Sequence, residues 1–211
     1  MACPICNKRK VKRVCPARAE SICSICCGTE REVTINCPSD CVYLQASREY
    51  DLERLEVDWS KVPFPEVKFD RRFAGTHEQL LLAIDHAICL FAADHREVVD
   101  TDVQVALQTL AETYRTRTSG IIYEKPLDYA LQRALYESLK VAIADFQKDD
   151  AQRAGMTTLR ESEVRDGLIF LTQLCAAHAN GRPRGRAYLD LIRSQFPKQE
   201  FQKAASNIVL L

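Results

Sequence analysis

Several features that define common protein classes are absent from this chain of 211 residues. Its 29 basic and 29 acidic residues cancel, so no overall charge attracts the chain to nucleic acid or to a membrane surface. No apolar run approaches the roughly 18 residues of a membrane-spanning helix. The opening sequence, MACPICNKRK, has cysteines where a signal peptide needs an apolar stretch. We therefore expect a cytoplasmic protein with no membrane partner.

Familiar catalytic motifs are absent as well. The chain has no glycine-rich phosphate loop, no Gly-x-Ser-x-Gly nucleophile turn and no Ser-x-x-Lys pair. His77, His86 and His95 are nine residues apart, so successive histidines would face opposite sides of a helix. Cys89 and Cys175 lie among apolar neighbours, and we expect them to be core thiols. The sequence therefore predicts neither an enzyme nor a small-molecule substrate.

The chain is instead rich in cysteine at one end. Eight of its ten cysteines lie within residues 3–41. A Cys-x-x-Cys pair lets both sulfurs reach one ion while backbone amides support the thiolates. Two such pairs, Cys3/Cys6 and Cys23/Cys26, are separated by sixteen residues, which is typical of a four-cysteine zinc site. Such a closed site has no open position for a substrate, so its zinc is structural.

Eight thiols are enough for two sites, and we expect two Zn²⁺ ions. The first predicted set is Cys3, Cys6, Cys23 and Cys26; the second is Cys15, Cys27, Cys37 and Cys41. In an extended backbone, the neighbours Cys26 and Cys27 would face opposite sides, one toward each ion. Exchanging Cys26 with Cys27, or Cys15 with Cys23, gives other sets of four, so the pairing stays open. An iron–sulfur cluster is a lesser alternative, because the common ferredoxin spacings are absent.

The residues after the second Cys-x-x-Cys pair predict a strand and then a helix. Residues 31–36, REVTIN, alternate and are β-branched, which favours a strand. Ser39 or Asp40 is expected to cap a helix that continues to about Glu56, with Cys41 in its first turn. A zinc knuckle followed by a helix that carries the last ligand is the treble-clef arrangement.

Residues 3–41 resemble the cross-brace zinc modules of the MYND and HIT-finger type. The wider pattern CPIC…CSICCG…CPSDCVYL before a helical body is similar to uncharacterised bacterial proteins. The resemblance implies a zinc-binding module and supplies no activity. Those families place a histidine late in the motif, whereas this segment has none, and the adjacent Cys26 and Cys27 also depart from their regular pairs. Their ligand order is therefore not transferred.

Two loops concentrate basic residues. Residues 8–18 contain Lys8, Arg9, Lys10, Lys12 and Arg13, and residues 182–193 contain Arg182, Arg184 and Arg186. Either loop could contact the phosphates of RNA or DNA. The alternative is that they neutralise thiolates in the first case and acids of the body, such as residues 145–150, in the second. Because residues 1–42 contain no Phe, Tyr or Trp on which bases could stack, only backbone contact is expected.

The whole chain predicts a mostly α fold in three parts. Residues 1–45 form the Cys-rich zinc module, here called the head, and residues 46–75 form a helix and a Pro/aromatic linker strap that packs against the body. Residues 76–211 form an antiparallel helical bundle. Residues 100–110 and 161–171 share the pattern [DE]-[ST]-[DE]-V-x-x-x-L-x-x-L. This match suggests either two αα-hairpin repeats or convergent capped helices.

The sequence thus favours a non-enzymatic zinc-binding adaptor whose helical body presents a surface to a protein partner. The second hypothesis is a nucleic-acid-associated zinc protein that uses the two basic loops at 8–18 and 182–193.

Overall fold

The computed structural model describes residues 1–118, 120, 124–155, 159–197 and 200–201, and it is mostly helical as predicted. In the described part of the chain, no helix combines the length and apolarity needed to cross a membrane. The elements, in chain order, are β1 (Arg13–Cys15), β2 (Glu20–Ile22), α1 (Ser24–Glu30), α2 (Val42–Leu52), α3 (Phe73–Thr76), α4 (Glu78–Asp94), α5 (Asp100–Thr118), α6 (Ala130–Ala154), α7 (Glu161–His178) and α8 (Ala187–Arg193).

The head contains a short antiparallel ladder, in which β1 pairs with β2 so that Cys15 lies opposite Glu20. The strand predicted for residues 31–36 is not formed. The backbone N–H groups of Val33, Thr34 and Ile35 all donate to the carbonyl of Glu30, so this β-branched run wraps around the end of α1 as a turn. A single bridge between residues 31 and 35 is what remains of the expected strand.

The two helices of the head also differ from the sequence prediction. The segment CSICCG belongs to the helix α1 and not to an extended chain, with Cys23 at its N-cap. Cys41 is the N-cap residue of α2, where Ser39 or Asp40 was expected, and α2 ends at Leu52 instead of Glu56. Successive side chains of a helix are about 100° apart, so Cys26 and Cys27 do not face opposite sides.

The body is a bundle of the four long helices α4 to α7. Its closest packing is between α5 and α7, followed by α4 with α6 and α5 with α6, while α4 also contacts α7. The consecutive helices α4 and α5, like α6 and α7, are therefore diagonally opposed, whereas α5 and α6 pack side by side. This differs from the adjacent αα-hairpins considered from the repeat. The matched apolar positions of the two repeat segments are nevertheless all buried in one core: Val103, Leu107, Leu110, Val164, Leu168 and Leu171.

The linker strap is docked along the body, as predicted. The side chain of Gln173 in α7 donates to the carbonyls of Phe64 (2.9 Å) and Val67 (3.0 Å). Phe64 is buried in the main core, and Phe69 packs edge-on against Phe170 with 5.5 Å between ring centroids. These contacts satisfy backbone groups that the prolines of the strap leave without helical partners.

Two buried carboxyl groups hold α8 against the bundle. Asp100 accepts the N–H groups of Tyr188 and Leu189, both at 3.1 Å, and the hydroxyl of Tyr188 donates to Asp85 at 3.2 Å. Burial raises the pKa of Asp85 to about 7 and that of Asp100 to about 6, although their hydrogen bonds act in the opposite direction. The core therefore contains acids that favour the protonated form.

The raised pKa of Asp85 predicts that stability falls as the pH rises. The folded protein holds this proton more tightly than the unfolded chain, so the stabilisation is complete below about pH 4 and is lost as the pH passes through about 7. We expect Asp85→Asn to remove roughly 2 to 3 kcal/mol of the loss in unfolding free energy between pH 5 and pH 8.

Chemical denaturation at both pH values measures this difference, and comparison with the wild type cancels any pH dependence of the head. The exposed Asp128→Asn variant is the control and should keep the wild-type pH dependence. An Asp85→Asn variant with the same pH dependence as the wild type would contradict the assignment.

Candidate metal centre

The first predicted cysteine set is assembled in the structure. The sulfurs of Cys3, Cys6, Cys23 and Cys26 all lie within 4.8 Å of one another, and Cys6 Sγ is 4.0 Å from Cys23 Sγ. A tetrahedral zinc with Zn–S bonds of about 2.3 Å requires sulfurs about 3.8 Å apart. Cys6 is half-buried and the other three are buried. The four sulfurs can therefore hold one metal ion in a closed site.

Backbone N–H groups support these thiolates in the manner of a metal knuckle. The N–H of Cys23 donates to Cys3 Sγ at 3.3 Å, and the N–H of Cys26 donates to Cys23 Sγ at 3.4 Å. The amides of Lys8 and Arg9 donate to Cys6 and lower the pKa of its thiol to about 6. These backbone amides therefore stabilise negative charge on the sulfurs that accept from them.

Cys26 is the thiol of this cluster that resists ionisation when no cation neutralises its neighbours. Burial and hydrogen bonding with the thiol of Cys23 raise the pKa of Cys26 to about 12. Burial opposes ionisation of Cys3 too, but the amides of Cys23, Cys6 and Ile5 lower its pKa. A divalent metal would remove the conflict by supplying positive charge at the centre of the cluster.

The second predicted set is not assembled. Among the described residues, which include every cysteine, no further group of three or more potential ligands has metal-site spacing. Burial raises the pKa of Cys37, which packs against the buried cluster of the head that includes Cys15. The sulfur of Cys27 accepts from Arg13 at 3.4 Å and from Arg31 at 3.9 Å.

A buried carboxylate joins the head to the body. Glu32 is only 2% exposed and has a positive φ of 52° in the turn after α1. Its carboxylate accepts from Arg48 Nη2 and Asn180 Nδ2, both at 2.7 Å, and from the N–H of Arg186 at 3.3 Å. Its own carbonyl accepts the N–H of Arg184 at 2.8 Å. We call this contact between the turn at residues 28–32 and the loop at residues 180–186 the seam.

The second basic loop therefore has an internal role. Arg182 Nη1 donates to the carbonyl of Gly28 at 3.1 Å and to that of Arg31, which are carbonyls at the C-terminal end of α1. Arg186 Nη1 donates to the carbonyl of Arg96 at 3.0 Å. Of the three arginines at positions 182, 184 and 186, Arg184 is the exposed one. The acid that this loop contacts is Glu32 of the head, through Asn180 Nδ2 and the N–H of Arg186, where the sequence suggested residues 145–150.

The seam depends on one glycine. A Cβ at Gly185 would lie 2.4 Å from Asn180 Oδ1 and 3.1 Å from the carbonyl oxygen of Arg182. Gly185 itself accepts the N–H of Asp100 through its carbonyl at 2.9 Å. The loop can therefore approach α5 and the head at the same time only because this residue has no side chain.

Two further residues, Ser39 and Asp190, belong to the same hydrogen-bond network as Glu32. Arg48 in α2 bonds Asp190 in α8 as well as Glu32, and Ser39 Oγ donates to Asp190 at 2.8 Å. Sequence reasoning missed Glu32, Arg48 and Asp190, because each is an ordinary charged residue separated from its partners by long stretches of chain. The sequence revealed only the cluster of arginines in the 182–193 loop and not the acids of the seam.

The first basic loop is arranged differently. Lys8, Arg9, Lys10 and Lys12 are exposed, and no carboxylate of the described residues lies within salt-bridge distance of them. Arg13 is half-buried, since its guanidinium lies 4.7 Å from the ring centroid of Tyr43 and bonds Cys27. This loop, unlike the one at residues 182–186, presents its charges to solvent.

Comparison of the chain with protein-family models, with curated proteins and with solved structures finds no match. The resemblance of residues 3–41 to cross-brace zinc modules therefore stays a prediction, and the function has to be argued from the four-cysteine cluster and the surfaces around it.

The buried carboxylate at the seam yields a prediction about stability. Glu32→Gln removes the charge on which Arg48 and Asn180 converge and leaves a buried guanidinium with one partner fewer. We expect a loss of roughly 2 to 4 kcal/mol in the free energy of unfolding. Chemical denaturation of the purified protein measures it.

Glu30→Gln is the matched control, because Glu30 lies two residues away and bonds only exposed threonines. Limited proteolysis adds a local readout, since cleavage within residues 180–186 should become faster in Glu32→Gln alone. If the two variants are equally stable and equally resistant, Glu32 does not hold the head to the body.

Proposed function

We propose that the protein is a zinc-binding adaptor, in which one structural zinc at Cys3, Cys6, Cys23 and Cys26 holds the head in shape on a helical scaffold. The observation that carries this proposal is the closed cluster of four sulfurs within 4.8 Å of one another. Four thiolates suit either zinc or an iron–sulfur cluster. The two Cys-x-x-Cys pairs sixteen residues apart favour zinc.

The head needs such an ion for its stability. Its regular structure is limited to two strands of three residues and the seven-residue helix α1. Its core consists mainly of cysteine, with Ile22 and Ile35 as the buried aliphatic side chains. Structural zinc contributes on the order of 10 kcal/mol or more in small zinc modules, which supports a role in folding rather than in catalysis.

An apolar strip next to the head is the surface that we assign to a protein partner. It consists of Leu52 and Leu55, which are 53% and 43% exposed. Leu52 and Leu55 line a cavity of about 490 Å³ whose other walls include Leu191 of α8 and Ala177 of α7. Exposed apolar side chains beside a groove are typical of surfaces that bind an amphipathic helix.

A second candidate function, contact with the backbone of RNA or DNA, is favoured by the exposed charges of Lys8, Arg9, Lys10 and Lys12. The hypothesis drawn from the sequence used both basic loops. Arg182 and Arg186 of the other loop already form hydrogen bonds within the protein. The first loop alone would carry the interaction.

All ten cysteines are free in the structure, and thiolates that bind zinc require reducing conditions. This chemistry supports the proposal of a cytoplasmic location.

Metal analysis tests the zinc site. We expect the wild type to contain zinc, and Cys23→Ser to lose about one equivalent because the closed site then has only three thiolates. Cobalt substitution should give the absorption of tetrahedral cobalt–thiolate in the wild type and not in Cys23→Ser. Cys89→Ser, which removes a buried thiol of the body, is the control and should retain the metal.

The same measurement addresses the second zinc, which stays a prediction. Cys27→Ser should retain the ion at the first set, and a further loss of about one equivalent would indicate a second site. The zinc proposal fails if the wild type contains iron with the absorption of a cluster, or if Cys23→Ser keeps the full zinc content.

Cross-linking in cells followed by purification tests the partner surface. Leu52→Asp/Leu55→Asp places two charges in the apolar strip, so we expect it to lose the protein partner captured by the wild type. Leu90→Asp/Val141→Asp is the matched control, because these exposed residues lie on α4 and α6 away from the strip. Equal capture by both double variants would remove the strip from the proposal.

The capture also separates the two candidate functions. RNA or DNA that is released by salt and lost in Lys8→Gln/Lys10→Gln/Lys12→Gln would favour the second candidate, since each phosphate contact adds about one to the salt dependence.

A further inference from the structure

A small cavity lies where the head meets α4 and α8. Its volume is about 230 Å³, and its floor is formed by apolar residues of α4 and α8, including Cys89, Ala92 and Leu189. Ser39 of the head and Phe201 form parts of its rim. We call it the seam cavity. It is smaller than the roughly 300–1,000 Å³ of pockets that bind drug-sized ligands, but it has the volume of several water molecules.

Positive charge dominates its lining. Arg96, Arg186 and Arg193 all line the seam cavity, and its one lining carboxylate is Asp190. Both oxygens of Asp190 are already bonded, one to Ser39 and the other to Arg48. Glu200, which lies in the same region, is bonded to His86 at 2.8 Å and does not line the cavity.

The three guanidinium groups have spare hydrogen-bonding capacity. In the described part of the chain, none of them lies within salt-bridge distance of a carboxylate. Arg186 is held in place by its bond to the carbonyl of Arg96, yet its Nε is shielded from solvent and has no hydrogen-bond partner. Arg193 lies against the ring of Phe201, 5.6 Å from its centroid. Arginines arranged in this way offer planar forks of donors to an anion with several oxygens.

We infer that the seam cavity binds a small phosphate-bearing anion, either inorganic phosphate or a small phosphomonoester, through Arg96, Arg186 and Arg193. The anion would neutralise three neighbouring cations that have only one carboxylate among them, and its oxygens would supply acceptors for guanidinium N–H groups. Because Ser39 of the head lines the same cavity as the arginines of the body, the bound anion would lie between the two parts of the molecule. The site is distinct from the metal centre, and it shares only Asp190 with the cavity beside the apolar strip.

Calorimetric titration of the full-length, metal-loaded protein with inorganic phosphate and with glycerol 3-phosphate tests this site. We expect binding that is weakened about tenfold or more in Arg96→Gln/Arg193→Gln, since each loses charge-assisted hydrogen bonds. Both residues are exposed at the mouth of the cavity, so this variant should keep the thermal unfolding midpoint of the wild type. Arg54→Gln/Arg184→Gln changes the net charge equally at exposed positions outside the cavity and should bind as the wild type does.

The two probes distinguish the sources of the phosphate group. Equal affinity for both indicates a site for the phosphate group itself, whereas tighter binding of glycerol 3-phosphate indicates that an ester substituent also enters the cavity. The inference is overturned if neither probe binds at about 10 mM, or if acetate at equal ionic strength competes as well as phosphate. It is also overturned if the two double variants bind alike.

Discussion

The carboxylate of Glu32 is the interaction on which the arrangement of this molecule depends. A charged group that is 2% exposed would be strongly destabilising unless it were fully hydrogen-bonded. Arg48, Asn180 and the backbone of Arg186 supply its donors, and they come from the helix after the head and from the loop before α8. One buried anion therefore fixes three segments that are far apart in the chain.

Helix α1 connects that anion to the metal centre. The helix begins with Cys23 at its N-cap and carries Cys26 in its first turn, and two carbonyls at its other end accept hydrogen bonds from Arg182. The seven-residue helix α1 thus extends from the four-cysteine cluster to the seam. A helix this short has little stability of its own. Arg182 stabilises its C-terminal end, and a metal ion held by the four sulfurs would stabilise its N-terminal end.

Some parts of this structure can be predicted from the sequence, and others cannot. Cysteine spacing identifies Cys3, Cys6, Cys23 and Cys26, because a knuckle is a local motif whose geometry follows from residue type and separation. Apolar periodicity likewise predicts the helices of the body. The strand predicted at residues 31–36 is wrong, because β-propensity is realised only beside a partner strand. Here the carbonyl of Glu30 is a nearer acceptor for three N–H groups of the segment. The seam could not be predicted, because opposite charges roughly 150 residues apart in the chain form no recognisable sequence pattern.

The arginines of the 182–193 loop each have a different structural role. Arg182 ends a helix of the head, Arg186 connects α4 to the seam, and Arg193 lies on an aromatic ring at the edge of a cavity. A run of arginines between glycines suggests a flexible phosphate-binding loop, yet backbone bonds to Glu32 and Asp100 hold this one rigidly. Rigidity is also what would make the remaining donors useful, because guanidinium groups already held in place lose little conformational entropy when an anion binds. Arg186 is therefore the one arginine of this loop that belongs both to the seam and to the lining of the seam cavity.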